Sequence, residues 1–376
     1  MLHLLRQFNK NQSNLGVEAG GNIISYLPQC CDSCFASTGR SLISLLIKRL
    51  GLSDKDTCLM PSYVAEGVIS PFINSRVQVL FYKVDEKLFA KLDELEKQIA
   101  SNPSIRLFVL IHPFGFEQAV NPIKKLFANK KINILEDCAQ ALFGRNSEGV
   151  LLGDRGEFSL FSLNKFLPVP DGAILQSHLS EIKVAVTEFE PEHEERRESL
   201  QDYIQHLHLN FEILQSNVPS EAQKILEKTA HAYELYYAFI NRSQSIYAPC
   251  EESLNRLKSI DLENVIAQRI INARFLYSNL RNSTFRFVYE KWDTNCTPMT
   301  VPVYVAPEQR KEILFKLFEQ NILLSTLIDK WTFIPEDKSS EFIAEKRFVS
   351  SHLLIPVNEF LSINQMEIMV EIMNKI

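Results

Sequence analysis

The sequence predicts an α/β protein with two domains, the larger one built on a mainly parallel sheet between two layers of helices. Strand-like and helical runs alternate without a break over residues 35–176. Two of the strand-like runs, 57–63 and 77–85, are separated by a helical one, and this βαβ spacing requires a parallel, right-handed crossover. The chain has 376 residues, and a single hydrophobic core rarely organises a chain of that length. A second domain is therefore expected.

The second domain is expected to be a smaller α/β unit. A long helical run at 261–280 precedes two strand-like segments, 301–305 and 353–357, and a helical segment follows each of them. The sequence therefore predicts the following division: a lead-in arm at 1–25, a large domain at 26–245 and a small C-terminal domain at 246–376.

Composition and charge narrow the classes of function. Hydrophobic residues make up 45% and charged residues 23% of the chain, as in globular proteins that work in water. The net charge of -6 argues against nucleic-acid and anionic-membrane partners, which select basic surfaces. Neither a signal peptide nor a membrane span is predicted, and seven unevenly spaced cysteines favour a reducing cytoplasm. The pair Cys31 and Cys34 has no second ligand pair at zinc-site spacing, so no metal site is predicted.

Two polar residues end apolar runs at places where a ligand could reach them. Asp137 follows the strand-like residues 132–136, and Lys165 follows the strand-like run at 158–164 and precedes a turn. A lysine amine that forms a Schiff base and a carboxylate that keeps a pyridine nitrogen protonated suit pyridoxal phosphate chemistry. Taken singly, Asp137 could instead cap a helix near Cys138, and Lys165 could be an ordinary lysine at a strand end.

The segments around these two residues resemble a known family. EDCAQALFG at 136–144 and GDRGEFSLFSLNKFLPVPDGAIL at 153–175 are similar to the DegT/DnrJ/EryC1/StrS sugar aminotransferases, which are fold type I pyridoxal phosphate enzymes. The resemblance implies that Lys165 forms the Schiff base, that Asp137 pairs with the pyridinium nitrogen, and that Gln140 contacts the ring or its phenolic oxygen. It also implies that Ser159 or Ser162 reaches the phosphate. The family's usual serine position, five before the lysine, holds Leu160 here.

A second candidate phosphate contact precedes the helical run at 41–50. Ser37, Thr38 and Gly39 stand where free backbone amides would face an anion, although a simple capped helix has the same pattern. The resemblance implies that Thr38, Gly39 and Arg40 bind the phosphate. It also implies that Tyr63 is the aromatic residue that stacks on the pyridine ring. His112 is either a ligand contact or a hydrogen-bonded structural histidine.

The region 177–245 is the largest departure from the family. The charged run 188–198 is expected to be solvated, and helical patterning continues through 200–241. All twelve glycines lie at or before Gly172, so the family's Gly-x-Asn-x-Arg motif, which reaches the neighbouring subunit's site, is absent. Residues 321–334, with Trp331, weakly resemble the family's domain-closing loop.

The family suggests an aminotransferase that moves an amino group from an amino acid, such as glutamate, to a keto sugar. The acceptor would be nucleotide-linked, used in polysaccharide or cell-surface sugar biosynthesis, and the enzyme would be a homodimer with shared sites. Two alternatives stay open: a pyridoxal phosphate enzyme of another reaction type, such as a lyase or dehydratase, and a degenerate member that binds cofactor without turnover.

Overall fold

The structure is a computed structural model. It describes residues 23–179, 182, 190–191, 193–215, 219–242, 245–292, 295–326 and 339–376. Most of the predicted arm at 1–25, and Trp331 of the predicted domain-closing loop, lie outside these residues. Within the described ranges, no helix is long and apolar enough to cross a membrane.

The large domain is organised around a seven-stranded sheet. Its strands run in the order β1, β7, β6, β5, β4, β2, β3. β2 to β6 pair in parallel, whereas β7 is antiparallel to both of its neighbours. The strands are β1 Asp32–Ala36, β2 Thr57–Pro61, β3 Gln78–Tyr82, β4 Ile105–Ile111, β5 Asn133–Asp137, β6 Phe158–Ser162 and β7 Ala173–Ser177.

Helices cover both faces of this sheet, which explains why its inner strands are nearly continuous apolar runs. On one face, α1 and α2 pack with the strands in one apolar cluster. On the other face, α3 and α4 pack in a second cluster. The helices are α1 Gly39–Leu50, α2 Glu66–Asn74, α3 Leu92–Ser101 and α4 Val120–Leu126. The predicted three-layer arrangement with a mainly parallel sheet is confirmed.

Residues 194–215 and 219–242 form two long helices, as the helical patterning predicts. Helix α5 (Glu194–Gln215) packs along helix α6 (Pro219–Arg242). The expectation that residues 188–198 are solvated throughout is wrong at Arg196. This side chain is fully buried and pairs with buried Asp171 over 3.0 Å.

The C-terminal part contains a second, antiparallel sheet and its covering helices. Its strands run in the order β10, β9, β8. Helix α8 enters this part of the molecule, and its first half packs on the large domain. Whether the domain boundary falls at 246 stays a prediction. The elements are α7 Glu251–Leu257, α8 Leu262–Asn279, β8 Arg286–Phe287, β9 Thr300–Tyr304, α9 Arg310–Glu319, α10 Ile343–Ser351, β10 His352–Pro356 and α11 Ile363–Met373.

Candidate active site

A pocket lies at the carboxyl ends of the parallel strands. Pro61 at the end of β2, Ile111 at the end of β4 and Asp137 at the end of β5 all line it, together with Lys165 from the turn after β6. The pocket contains about 570 Å³ of empty space, part of it open to solvent. Open α/β sheets bind ligands at this edge because the loops diverge there and leave a crevice.

Asp137 is a buried carboxylate at the floor of the pocket. It is only 3% exposed, and its Oδ1 accepts a hydrogen bond of 2.9 Å from the Ala139 amide. Burial raises the pKa of Asp137, while the charge of Lys165 and the Ala139 amide act in the opposite direction. A nearby cationic group stabilises the charged form of such a buried carboxylate.

Lys165 ends a single turn of 3₁₀ helix that follows β6. The residue as a whole is exposed toward the open pocket, but its amine lies deep enough that desolvation lowers its pKa, which the charge of Asp137 partly restores. The structure thus brings Asp137 and Lys165 together in one pocket, as the sequence predicts. A lysine with a lowered pKa has a larger neutral fraction and is a better nucleophile and base.

Gln140 and Tyr63 form parts of the pocket wall. Gln140 also lines the pocket, and its Oε1 accepts a hydrogen bond of 2.9 Å from the Phe114 amide, which fixes the side chain. Tyr63 lines the pocket from the loop after β2, and its ring makes an edge contact with Phe348, at 4.9 Å between centroids. Tyr63 therefore adds an aromatic side chain to the pocket that contains Asp137 and Lys165.

The helix α1 begins as the sequence predicts. Thr38 is its N-cap, and its side chain accepts a hydrogen bond from the Ser41 amide. The Arg40 guanidinium lies close to the start of α2. A Cβ added to Gly67, the second residue of that helix, would be 3.4 Å from Arg40 Nη2. Burial lowers the pKa of Arg40, and Glu66 opposes this shift. Neither Thr38, Gly39 nor Arg40 lines the pocket wall described above, so their phosphate role stays a prediction.

The two candidate serines lie on opposite faces of β6. Ser162 shares a face with Leu160, whose side chain would be 3.4 Å from a Cβ added to Gly39 at the start of α1. Ser159 points to the other face, is fully buried, and its hydroxyl donates to Gln176 Oε1 over 3.3 Å. Because alternate residues of a strand face opposite sides, only Ser162 of these two is on the side of the α1 N-terminus. On this geometry Ser162 is the better candidate for the phosphate contact, which stays a prediction because neither serine lines the pocket.

His112 is held in a buried polar network beneath the site. Its Nε2 is 2.8 Å from Glu136 Oε2, and its Nδ1 accepts from the Gln118 amide over 3.0 Å, so Nε2 carries the proton and donates to Glu136. The amides of Gly153, Arg155 and Gly156 donate to the same carboxylate. Of the two interpretations of His112, the structure therefore supports the structural one.

Gln118 is a pocket residue that the sequence did not reveal. It lines the pocket, and its side chain donates to the Leu88 carbonyl over 2.9 Å. A glutamine in a loop four residues beyond Phe114 has no local pattern that marks it as a site residue. The sequence marks only the turn that precedes Gln118, through Pro113 and Gly115. In the structure, Phe114 in this turn has a φ of 57° and Gly115 a φ of 97°.

Comparison with known proteins shows which family this part of the chain resembles. A sequence model of the DegT/DnrJ/EryC1/StrS aminotransferase family matches residues 33–190. This stretch of the chain is similar to that family. It contains every candidate site residue named above. A curated relative, Protein MosB of Rhizobium meliloti, is 26% identical over 144 residues, which are 37% of this chain and 28% of that protein. The match to this relative thus spans under a third of its length.

Solved structures share the fold over nearly the whole chain. DesV of S. venezuelae is 16% identical with a TM-score of 0.66, and the match covers 94% of this chain and 86% of DesV. The sugar aminotransferase CalS13 of Micromonospora echinospora is 15% identical with a TM-score of 0.62, and the match covers 91% of this chain and 87% of CalS13. NtdA of Bacillus subtilis, solved with bound PMP, is 15% identical with a TM-score of 0.63, and the match covers 95% of this chain and 78% of NtdA. At these identities the likeness shows the fold, and the predicted fold type I architecture is confirmed.

Proposed function

We propose that this protein is a pyridoxal phosphate-dependent aminotransferase that moves an amino group from an amino acid donor to a keto sugar. One observation carries the proposal: Asp137 and Lys165, delivered by two different strands, line one pocket at the carboxyl edge of the sheet. The family match over residues 33–190 supports the same reaction class.

The residues in the pocket fit the cofactor. The buried Asp137 carboxylate suits a protonated pyridine nitrogen, and the Lys165 amine suits the aldehyde carbon. Tyr63 supplies an aromatic wall and Gln140 a fixed amide. The N-terminus of α1 and Ser162 are outside this lining, and we propose them as the donors for the phosphate. When bound, pyridoxal phosphate supplies an electron sink for the negative charge that develops at the donor's Cα.

The two charged residues divide the work of proton handling. Asp137 keeps a proton on the pyridine nitrogen, because loss of that proton would leave the buried carboxylate without a counter-charge. Lys165 would take the proton from the donor's Cα. Its lowered pKa increases the neutral fraction of the amine, which is the form that can accept this proton.

The finer points of the proposal rest on the family and on composition. We infer that the donor is glutamate, that the acceptor is a nucleotide-linked keto sugar of polysaccharide or cell-surface sugar biosynthesis, and that the enzyme is a homodimer with shared sites. A cytoplasmic location is supported by the odd number and uneven spacing of the seven cysteines, which favour a reducing compartment. Tyr236, Tyr237, Asn241 and Arg242 on α6 occupy the region where the family carries its partner-reaching motif.

The test is the visible absorption spectrum of the protein purified with pyridoxal phosphate. We expect a band from lysine-bound cofactor, which borohydride fixes covalently on Lys165 and which glutamate converts to the pyridoxamine phosphate spectrum. Lys165→Ala should lose the fixed band, whereas Lys130→Ala, a change at an exposed lysine, should keep it.

The outcomes separate the alternatives. Absence of the band in the wild-type protein contradicts the cofactor assignment and the proposed function together. A band that no amino acid donor changes contradicts the aminotransferase, and it would favour a non-catalytic member or another reaction type. If aspartate or glutamine converts the band and glutamate does not, only the donor is wrong.

A further inference from the structure

Helix α8 joins the two parts of the molecule at Arg269. Its first turns, with Leu262 and Val265, pack in the apolar cluster that contains Phe166, the residue after Lys165. Its later turns, with Ala273 and Leu276, pack in the core of the small domain. Arg269 lies between these two halves and is only 4% exposed. The helix therefore changes partners at a buried cation.

Arg269 uses its guanidinium to hold backbone from two separate segments. Nη2 donates to the Phe166 carbonyl over 3.1 Å, and Nη1 donates to the Met299 carbonyl over 3.1 Å. Nη2 also lies 2.9 Å from the Glu359 carboxylate, and the guanidinium carbon lies 4.9 Å from the centroid of the Phe166 ring. Burial lowers the pKa of Arg269, and Glu359 counteracts the shift, so the group stays a cation.

The segment held on the other side also leads to the pocket. The Met299 amide donates to the Phe114 carbonyl over 2.9 Å, and the Phe114 amide donates to Gln140 Oε1 over 2.9 Å. Gln140 and Lys165 both line the pocket. One guanidinium thus ties the turn that carries Lys165 to the wall that carries Gln140.

We propose that Arg269 is a positioning residue that fixes the Lys165 amine in the pocket by holding the Phe166 carbonyl. Phe166 directly follows Lys165 in the chain, and the 3₁₀ turn at 163–165 is short, so its far end depends on outside contacts. Arginine is required because its planar fork donates to two carbonyls that are held apart while its charge pairs with a carboxylate, whereas the three donors of a lysine all project from one nitrogen. The proposal rests on the proposed function and deepens it, because it explains how Lys165 is held in position.

The test measures the reactivity of Lys165 itself, and activity is not its main readout. Full-length protein without added cofactor is acetylated with a water-soluble reagent over a range of pH, and the labelling of each lysine is followed by mass spectrometry. The ratio of Lys165 to the exposed Lys130 is compared between wild type, Arg269→Met, Arg269→Lys and the control Arg274→Met. Arg274 is on the same helix and is exposed.

We expect the midpoint of the Lys165 profile to move up in both Arg269 variants, because a turn that is no longer held lets the amine reach water. If the midpoint rises by about half a pH unit, the neutral fraction of the Lys165 amine falls about threefold at any pH well below the midpoint. Arg274→Met should leave the profile unchanged. With pyridoxal phosphate added, the Arg269 variants should also release the cofactor faster on dialysis.

Two results would overturn the proposal. One is an unchanged Lys165 profile in Arg269→Lys when circular dichroism shows a native fold. The other is an equal shift of the partly buried Lys83 along with Lys165, which would mean general loosening of the structure. If Arg269→Met fails to fold, Arg269→Lys decides. A shifted Lys165 profile in a protein that never binds pyridoxal phosphate would support the positioning role and contradict the proposed function, so the two can fail separately.

Discussion

Replacing Glu345 by alanine is expected to loosen the contact between the small domain and the pocket wall at Tyr63. Glu345 lies on α10 and is 1% exposed. Its Oε1 accepts hydrogen bonds of 2.9 Å from the Ser62 hydroxyl and 2.9 Å from the Val84 amide. Ser62 precedes Tyr63, and Val84 itself lines the pocket. The carboxylate thus supports two neighbouring pieces of the wall.

The magnitude follows from the donors that lose this acceptor. The Val84 amide is fixed by the backbone, so leaving it without the carboxylate costs about 1–3 kcal/mol. The Ser62 hydroxyl can rotate and costs less, so the free energy of unfolding should fall by about 2–4 kcal/mol in total. Glu345→Gln keeps an acceptor oxygen and should cost less than about 1 kcal/mol at neutral pH.

Burial gives Glu345→Gln a distinctive pH dependence. Burial raises the pKa of Glu345 above its usual 4.5, although the Val84 amide and Ser62 counteract part of the shift. The folded protein therefore binds this proton more tightly than the unfolded chain does. The stability that this bound proton contributes is complete at pH values below the pKa of Glu345 in the unfolded chain. It is lost as the pH rises through the pKa of Glu345 in the folded protein. Relative to wild type, the glutamine variant should gain stability as the pH is raised across that window.

The assay is urea denaturation followed by circular dichroism at about pH 4.5 and about pH 7.5. Lys346→Ala, an exposed change on the same helix, is the matched control and should shift stability by less than about 0.5 kcal/mol. The reasoning is refuted if Glu345→Ala costs no more than this control. It is also refuted if the difference between the glutamine variant and wild type does not change with pH.

Two further predictions concern a glycine in a tight turn and a buried ion pair. Gly115→Ala should destabilise the fold severely, since φ is 97° and the new Cβ would lie 2.6 Å from the Thr297 carbonyl oxygen. In a thermal melt, Gly51→Ala should cost only about 1–2 kcal/mol, because nothing lies within 4 Å there and only the positive φ is strained; equal losses would contradict the steric argument. Arg196→Met should lower the free energy of unfolding by about 3–5 kcal/mol by leaving buried Asp171 without its cation, whereas exposed Arg197→Met should be nearly neutral. Similar urea midpoints for the two arginine variants would show that the ion pair contributes little.

The fold was largely predictable because its signal is local. β4 and β5 are short apolar runs flanked by helical ones, and burial on both faces of a parallel sheet requires such runs. Asp137 and Lys165 could be found for the same reason, since each is a polar residue at the end of an apolar strand. Parallel strands bring their carboxyl ends to one edge, so two such residues meet in space.

The buried polar partners were not predictable because their signal is not local. Arg196 stands in a charged run that is typical of a solvated helix, yet it pairs with Asp171, 25 residues earlier in the chain. Glu345 and Ser62 are 283 residues apart. The choice between Ser159 and Ser162 depended on which face of β6 meets the start of α1, and that requires the packing of the sheet against its helices. Spacing to Lys165 alone does not contain this information.

The small domain therefore helps to set the shape of a pocket whose named residues all belong to the large one. The family match ends at residue 190, and Asp137, Gln140, Lys165 and Tyr63 all lie within it. The groups that hold their neighbours come from beyond it: Arg269 holds Phe166, and Glu345 holds Ser62. Each is a buried ionisable residue on a different helix of the C-terminal part, and each acts on the residue next to a pocket side chain. A shift of these two helices would break both contacts, the one on Phe166 beside Lys165 and the one on Ser62 beside Tyr63.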